Sequence, residues 1–197
     1  MAGTIELAQA EVDGDLGRFA RLLDVPKPES WPPPLNDADS QRYFLAQLQG
    51  AGATDAGWSL WFCVRREPRV LVGSAGFTAP PREGCVEIGY SMLEAHQRNG
   101  YCTEAVRALL DWAFARSEVG TVIARTLSEL PPSIRVLQKC GFEYTGEREL
   151  ADGVETIRYE LSRARAAAYR GAEAHIRAAL EPSERSGVIR AKRSQET

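Results

Sequence analysis

Long apolar runs are absent from this sequence. No stretch approaches the roughly 20 residues that span a bilayer, so no membrane partner is expected. Met1 to Glu6 carries no basic region followed by an apolar core, so no secretory leader is expected either. Histidine is scarce, with two residues, His96 and His175, and the four cysteines (Cys63, Cys85, Cys102, Cys140) show no C-x-x-C spacing. Zinc constellations need more than that, and no metal is expected. The thiols read as small, reduced core residues of a cytoplasmic protein. A strong excess of one charge is missing too. The net charge is −3, which argues against nucleic acid as the partner of the whole chain. The charge is uneven, however. From Ser162 onward eight Lys/Arg stand against four Asp/Glu, a net +4, which leaves −7 on the rest. That basic end reads as a solvated helix and free tail; the competing reading is contact with nucleic acid or a ribosome.

What is present fits one globular domain with an appendage: 197 residues, 44% hydrophobic and 26% charged. Thr4 to Ala8 reads as a first strand, and Asp13 to Leu23 as a helix capped by Asp13. The proline-rich stretch Val25 to Pro34 breaks regular structure and carries Trp31, either a lid over a pocket or a plug at the core edge. Asn36 or Asp37 caps a helix through Gln49 with Tyr43, Phe44 and Leu48 on one face. Gly50 to Gly57 is a loop. Strands are expected at Trp58–Arg65, Val70–Phe77 and Cys85–Met92, with Gly73 and Gly76 marking a bulge or a close backbone approach. A helix follows at Thr103–Arg116, then a strand at Thr121–Leu127 and a short helix at Ser133–Lys139 stopped by Gly141. Phe142–Leu150 and Val154–Leu161 form a hairpin across Asp152-Gly153. A terminal helix, Arg163–Leu180, carries a thin stripe of Ala168, Ala172, Ile176 and Leu180. It either covers the sheet or pairs with its copy in a homodimer. The boundaries are residues 1–161 for the domain, 162–181 for the helix and 182–197 for a disordered tail. The order implies an α+β fold with a mixed, mostly antiparallel sheet.

One stretch has chemistry in it. Gln97-Arg98-Asn99-Gly100-Tyr101-Cys102-Thr103-Glu104 joins the strand ending at Met92 to a helix. The first turn of a helix has N–H groups without partners, and its dipole adds partial positive charge. Gly100 lets a ligand come close, and Arg98 adds a fixed cation. The pattern is that of a pyrophosphate cradle.

The flanks narrow this. The motif [Q/R]-x-x-G-x-[G/A] stands here as Gln97-Arg98-Asn99-Gly100-Tyr101-Cys102, between Val86-Glu87-Ile88-Gly89-Tyr90 and Thr103-Glu104-Ala105. Downstream comes Pro132-Ser133-Ile134-Arg135-Val136-Leu137-Gln138-Lys139-Cys140-Gly141-Phe142. Together, residues 4 to 161 resemble the GNAT superfamily of acyl-CoA-dependent N-acetyltransferases, in particular the RimJ/RimL-like branch of ribosomal-protein N-terminal acetyltransferases. The chain departs from the pattern at three places. Cys102 replaces a Gly or Ala, Leu130 stands where that branch has an Asn, and Leu137 stands where many members have a Tyr.

The resemblance implies a transferase that moves the acetyl group of acetyl-CoA to a primary amine, on a peptide N-terminus or a small molecule. It implies backbone binding of the pyrophosphate by Arg98, Asn99, Gly100, Tyr101, Cys102 and Thr103, with Gln97 assisting. It implies that the pantetheine arm pairs with Tyr90, Ser91, Met92 and Leu93, with an oxyanion donor at Ser91 or Met92. Glu87 is the candidate base; the competing roles are pairing with an arginine and binding the substrate ammonium. Ser133 either hydrogen-bonds the leaving sulfur or caps its helix. Trp31, Tyr43, Phe44, Trp61 and Glu83 are candidate substrate contacts or core. The alternative to an enzyme is a sensor or scaffold of this fold that binds acyl-CoA without turnover.

Overall fold

Thr4 does not begin a strand. Its hydroxyl accepts from the Leu7 N–H, and the helix α1 (Ile5–Val12) follows, burying Leu7, Ala8, Ala10 and Glu11. The reason for the difference is Glu11: a carboxylate in a core position hides the helical period. Only Ala2 pairs with a strand, through a bridge to Trp61. Helix α2 (Leu16–Leu23) is capped by Asp15 and not Asp13, because Gly14 at φ +69° separates the two helices. Helix α3 (Ala38–Gly50) starts at Asp37, whose carboxylate accepts from the Ser40 N–H at 2.8 Å. It buries Gln41 and Leu45, whereas Tyr43 is 53% exposed. The structure, a computed structural model, describes residues 1–50, 57–151 and 154–180. The expected loop up to Gly57, the Asp152-Gly153 turn and the tail fall largely or wholly outside the described residues.

Six strands form the sheet: β1 (Leu60–Arg65), β2 (Val70–Phe77), β3 (Cys85–Met92), β4 (Thr121–Leu127), β5 (Glu143–Ala151) and β6 (Val154–Ser162), in the order β1-β2-β3-β4-β6-β5. Among them only β3 and β4 run parallel, because a helix, α4 (Tyr101–Phe114), crosses between them. The remaining pairs are antiparallel, so the mixed, mostly antiparallel sheet is what forms. Two further helices follow the pattern of the sequence: α5 (Pro131–Lys139) and α6 (Arg163–Leu180).

The glycines of β2 are there for close approach. A Cβ on Gly73 would lie 2.4 Å from Ser91 O, and one on Gly76 would lie 2.4 Å from Ser59 O. A register shift also falls between Cys63 and Val64, opposite this part of β2.

The two faces of the sheet have separate cores. Val86, Ile88, Val122 and Ala124 pack under Val106, Leu109, Leu110 and Ala113 of α4, with Leu137 of α5. On the other side Leu60, Phe62 and Leu71 meet Leu7, Ala10, Phe19 and Leu23 of α1 and α2. Trp31 joins this second cluster, with its ring 5.2 Å from Phe19 and 6.1 Å from Phe62.

Helix α6 turns Ala166 inward and leaves Ala168 and Ala172 of the expected stripe exposed; the side chains of Ile176 and Leu180 lie outside the described residues. Arg163 holds its start by donating to the carbonyls of Phe114, Arg116 and Val119. Tyr169 covers Gly141, and its hydroxyl reaches Lys139 O at 3.2 Å.

Candidate functional site

Strands β3 and β4 start together and then part. Their parallel register runs from Cys85↔Thr121 to Ile88↔Ala124 and stops there. On its other side β3 stays paired with β2 as far as Gly73↔Met92. The polarity of the free edge follows from alternation. Thr78 donates to Glu87 O at 3.0 Å and Leu93 donates to Val72 O at 2.9 Å. Glu87, Gly89, Ser91 and Leu93 therefore turn their backbone groups to β2. Tyr90 and Met92 turn theirs to the gap that β4 leaves. A cleft of about 990 Å³ opens at that gap, lined by β3, the turn before α4, the ends of β4 and α5, and Pro34 and Leu35.

The turn from β3 to α4 completes one end. Gln97 donates from Nε2 to Met92 O at 3.2 Å, and Asn99 donates to Gln97 O at 2.9 Å. Arg98 at φ +61° and Gly100 at φ +85° bring the chain round into α4. A Cβ at Gly100 would meet open space, so the left-handed backbone and not crowding is what asks for glycine there. No side chain caps α4. Glu104 is the first to find a backbone acceptor in the helix, Gly100 O at 3.1 Å, which leaves the N–H groups of Tyr101, Cys102 and Thr103 pointing at the cleft. Arg98, Arg135, Lys139 and His96 line the same end. Among the described residues, no cluster of His, Cys, Asp and Glu could hold a metal ion.

At the middle of the cleft two hydroxyls meet. The Tyr90 and Ser133 side-chain oxygens are 3.0 Å apart, which ties β3 to α5. Burial drives the Tyr90 phenol far above its ordinary range, so it stays protonated. Ser133 does not cap α5: the helix starts at Pro131 after Leu130, and Ser133 sits within its first turn. Cys102 also faces the cleft, and burial pushes its thiol up to about 12, so it is no thiolate.

Glu87 is not in the cleft wall; Arg125 is. The Arg125 guanidinium lies 2.5 Å from the Glu87 carboxylate and 3.4 Å from that of Glu149. Burial raises the Glu87 pKa and Arg125 opposes it. Leu93 and Asn99 do not line the cleft either. Leu93 is 5% exposed, and its N–H is taken by β2. Ser91 contributes its side chain, which donates to Pro34 O, but its N–H belongs to the β2 ladder.

None of Trp31, Tyr43, Phe44, Trp61 and Glu83 lines the cleft. Trp31 plugs the second core, Trp61 packs on Trp112, and Tyr43 donates to Thr78 O at 2.7 Å. The residues that do line its far side (Pro34, Leu35, Arg125, Thr126, Leu127 and Thr156) carry no sequence pattern that singles them out. The side-chain meeting of Tyr90 with Ser133, 43 positions apart, had no signal either.

A family profile described as an acetyltransferase (GNAT) domain matches residues 5–143. The chain belongs to the GNAT acetyltransferase family. Its relatives among known proteins include an uncharacterised N-acetyltransferase, YjdG, of Bacillus subtilis, 37% identical over 44% of this chain and 52% of YjdG. This GNAT chain thus spans about half the length of the curated relatives it matches. Its fold is also that of solved GNAT enzymes. A ribosomal-protein-S5-alanine acetyltransferase from Vibrio fischeri is 16% identical over 83% of this chain and 91% of that one, with a TM-score of 0.59. The aminoglycoside acetyltransferase AAC(6')-Ib, solved with coenzyme A, is 16% identical over 86% and 97%, also at 0.59.

Proposed function

We propose that this chain transfers the acetyl group of acetyl-CoA to a primary amine by direct attack, in the cytoplasm and without a covalent acyl-enzyme. The observation that carries the reading is the parting of β3 from β4 beside an uncapped helix N-terminus. The residues present fit the co-substrate. Free N–H groups at Tyr101, Cys102 and Thr103, with Arg98, Arg135 and Lys139, suit a pyrophosphate and a further phosphate. The outward backbone of Tyr90 and Met92 suits an amide-bearing arm laid along β3.

Acetyl-CoA, when bound, supplies an activated thioester carbonyl. The rest is done by side chains and backbone of this chain. The N–H of Tyr90 or Met92 is the donor for the developing oxyanion, in place of Ser91, and such preorganised donors contribute about 3–4 kcal/mol. The Tyr90–Ser133 pair holds a proton where the sulfur would leave, on the same wall. Glu87 acts behind Arg125, and takes the amine proton through water and not by contact. The thiols stay out of the chemistry, as Cys102 is protonated and has no histidine partner among its hydrogen bonds. For the acceptor, a peptide N-terminus or a small amine, the open side lies between the Pro34–Leu35 turn and the ends of β4 and β6. The proposed RimJ/RimL-like assignment rests on the three motifs in order, Val86–Tyr90, Gln97–Ala105 and Pro132–Phe142, with Leu130 departing from that branch's Asn.

Calorimetry with acetyl-CoA tests the cradle. Gly100→Glu puts a carboxylate among the proposed phosphate donors and is expected to weaken binding by at least roughly 100-fold, about 2.7 kcal/mol. Unchanged affinity in a variant with an unchanged melting curve would refute it. Thiol release with a panel of spermidine, an alanine-initiated peptide and an aminoglycoside tests turnover. Binding with no release under any amine leaves a sensor and removes the enzyme.

A further inference from the structure

Glu11 of α1 is buried, 4% exposed, and takes no part in the site described above. One of its oxygens, Oε1, accepts from Trp31 Nε1 at 2.9 Å and from Asn36 Nδ2 at 3.1 Å. Those two residues are the two ends of the loop that brings Pro34 and Leu35 to the cleft. The loop is held at its middle as well, by the Ser91 hydroxyl on Pro34 O. Asn36 N–H closes the turn on Pro33 O at 3.2 Å, and Gln41 of α3 donates to Asn36 O at 3.4 Å. Leu35 stands 71% exposed at φ +64°, a backbone that a leucine keeps only where its surroundings impose it.

We propose that Glu11 is the positioning residue of the acceptor wall: its carboxyl clasps both ends of the Trp31–Asn36 loop, and the clasp loosens as the pH rises. The inference rests on the acceptor lying beside Pro34 and Leu35, as proposed above.

The groups that meet Glu11 are neutral. Trp31 and Asn36 come from the loop, Gln41 and Leu45 are the buried side chains of α3, and Phe19, Leu23, Leu60 and Phe62 pack beside α1 from α2 and β1. The ionic residues of α3, Asp39 and Arg42, pair with each other in solvent. Burial, opposed by the two hydrogen bonds, lifts the Glu11 carboxyl to about 7. An open loop lets water reach the carboxyl and returns it toward the ordinary range. The open form therefore binds fewer protons, and raising the pH favours it, by up to about tenfold per pH unit.

Amide hydrogen exchange of the full chain, read by mass spectrometry and corrected for intrinsic rates, separates three variants. Wild type is expected to show slow exchange at the Asn36 N–H, which is bonded to Pro33 O, near pH 6 and up to about tenfold faster exchange near pH 8.5. Glu11→Gln, which keeps the acceptor oxygen without a charge, stays slow at both. Glu11→Ala and Trp31→Phe are fast at both, while α4 is unaffected in every variant. A loop that exchanges alike in wild type and Glu11→Gln across that range overturns the proposal. With an amine that wild type turns over, Glu11→Ala raises the amine KM at least about fivefold and leaves the acetyl-CoA KM within about twofold. A fall in kcat alone, or an equal rise in both KM values, also overturns it. Failure of acetyl-CoA to bind wild type would instead defeat the reading of the site, with the loop result still standing.

Discussion

Tyr90 shows how one side chain changes the view of a site. Its sequence marks a strand residue whose backbone faces a ligand; in the structure its hydroxyl also donates to the Ser133 carbonyl at 3.2 Å and lies 3.0 Å from Ser133 Oγ. Leu137, in the position where many relatives carry a tyrosine, is fully buried in the core and cannot reach the cleft. The Tyr90 hydroxyl, on β3, is the proposed replacement for the proton donor that the family pattern lacks at that position. Tyr90→Phe is expected to lower kcat by roughly 100-fold with little change in acetyl-CoA affinity. Steady-state kinetics beside calorimetry checks this. Equal losses in binding and turnover would mean that the hydroxyl only joins β3 to α5. Sequence reasoning found the Gln97–Thr103 turn because backbone binding leaves a compact local motif. The hydroxyl pair has no local spacing, and neither does the ladder parity that separates Ser91 from Met92 as the candidate donor.

Elements were legible in proportion to how local their causes are. Val70–Phe77, Cys85–Met92, Thr121–Leu127 and Arg163–Leu180 have the ends that periodicity and turn residues set. The Thr4–Ala8 segment misled because Ile5, Glu6 and Leu7 alternate, and because the buried acid at Glu11 breaks the apolar stripe of α1. Its partners lie 20 and 25 residues away. Helix α3 is the helix that its sequence predicts, and Phe44 of the expected face does pack on the second core; only Tyr43 turns outward, while the buried Gln41 serves a backbone oxygen. The join between α5 and β5 offers a test at this scale. Gly141 sits at φ +88°, with space for a Cβ blocked at 2.8 Å by the Tyr169 ring. Gly141→Ala is expected to cost about 1–3 kcal/mol and to loosen α6. Urea unfolding measures the loss, and added Tyr169→Ala should recover the crowding part but not the backbone part.

For the molecule as a whole, Glu11 gives stability a pH dependence on the acid side of neutrality. The Glu11 carboxyl, ordinarily at 4.5, is raised to about 7 when folded. The folded chain therefore holds that proton more tightly than the unfolded chain. Its favourable contribution is full below the ordinary value and is lost as pH rises through about 7, up to about 3 kcal/mol. Glu11→Gln should match wild type near pH 5 and exceed it near pH 8 by up to about that amount in urea titrations. A constant difference between the two curves would mean that Glu11 titrates normally in the fold.

The two cores on opposite faces of the sheet have a consequence for descent. Helix α4 and its apolar contacts form a cluster separate from that of α1, α2 and Trp31, with the sheet between them. Mutations that remodel the Trp31–Asn36 loop with α1 and α2 leave the packing of α4 behind the Gln97–Thr103 turn untouched. On the reading of the cleft proposed above, lineages can drift in the acceptor they take while the half proposed to hold acetyl-CoA stays under constant selection, so kinship is expected to persist longest around β3, α4 and α5.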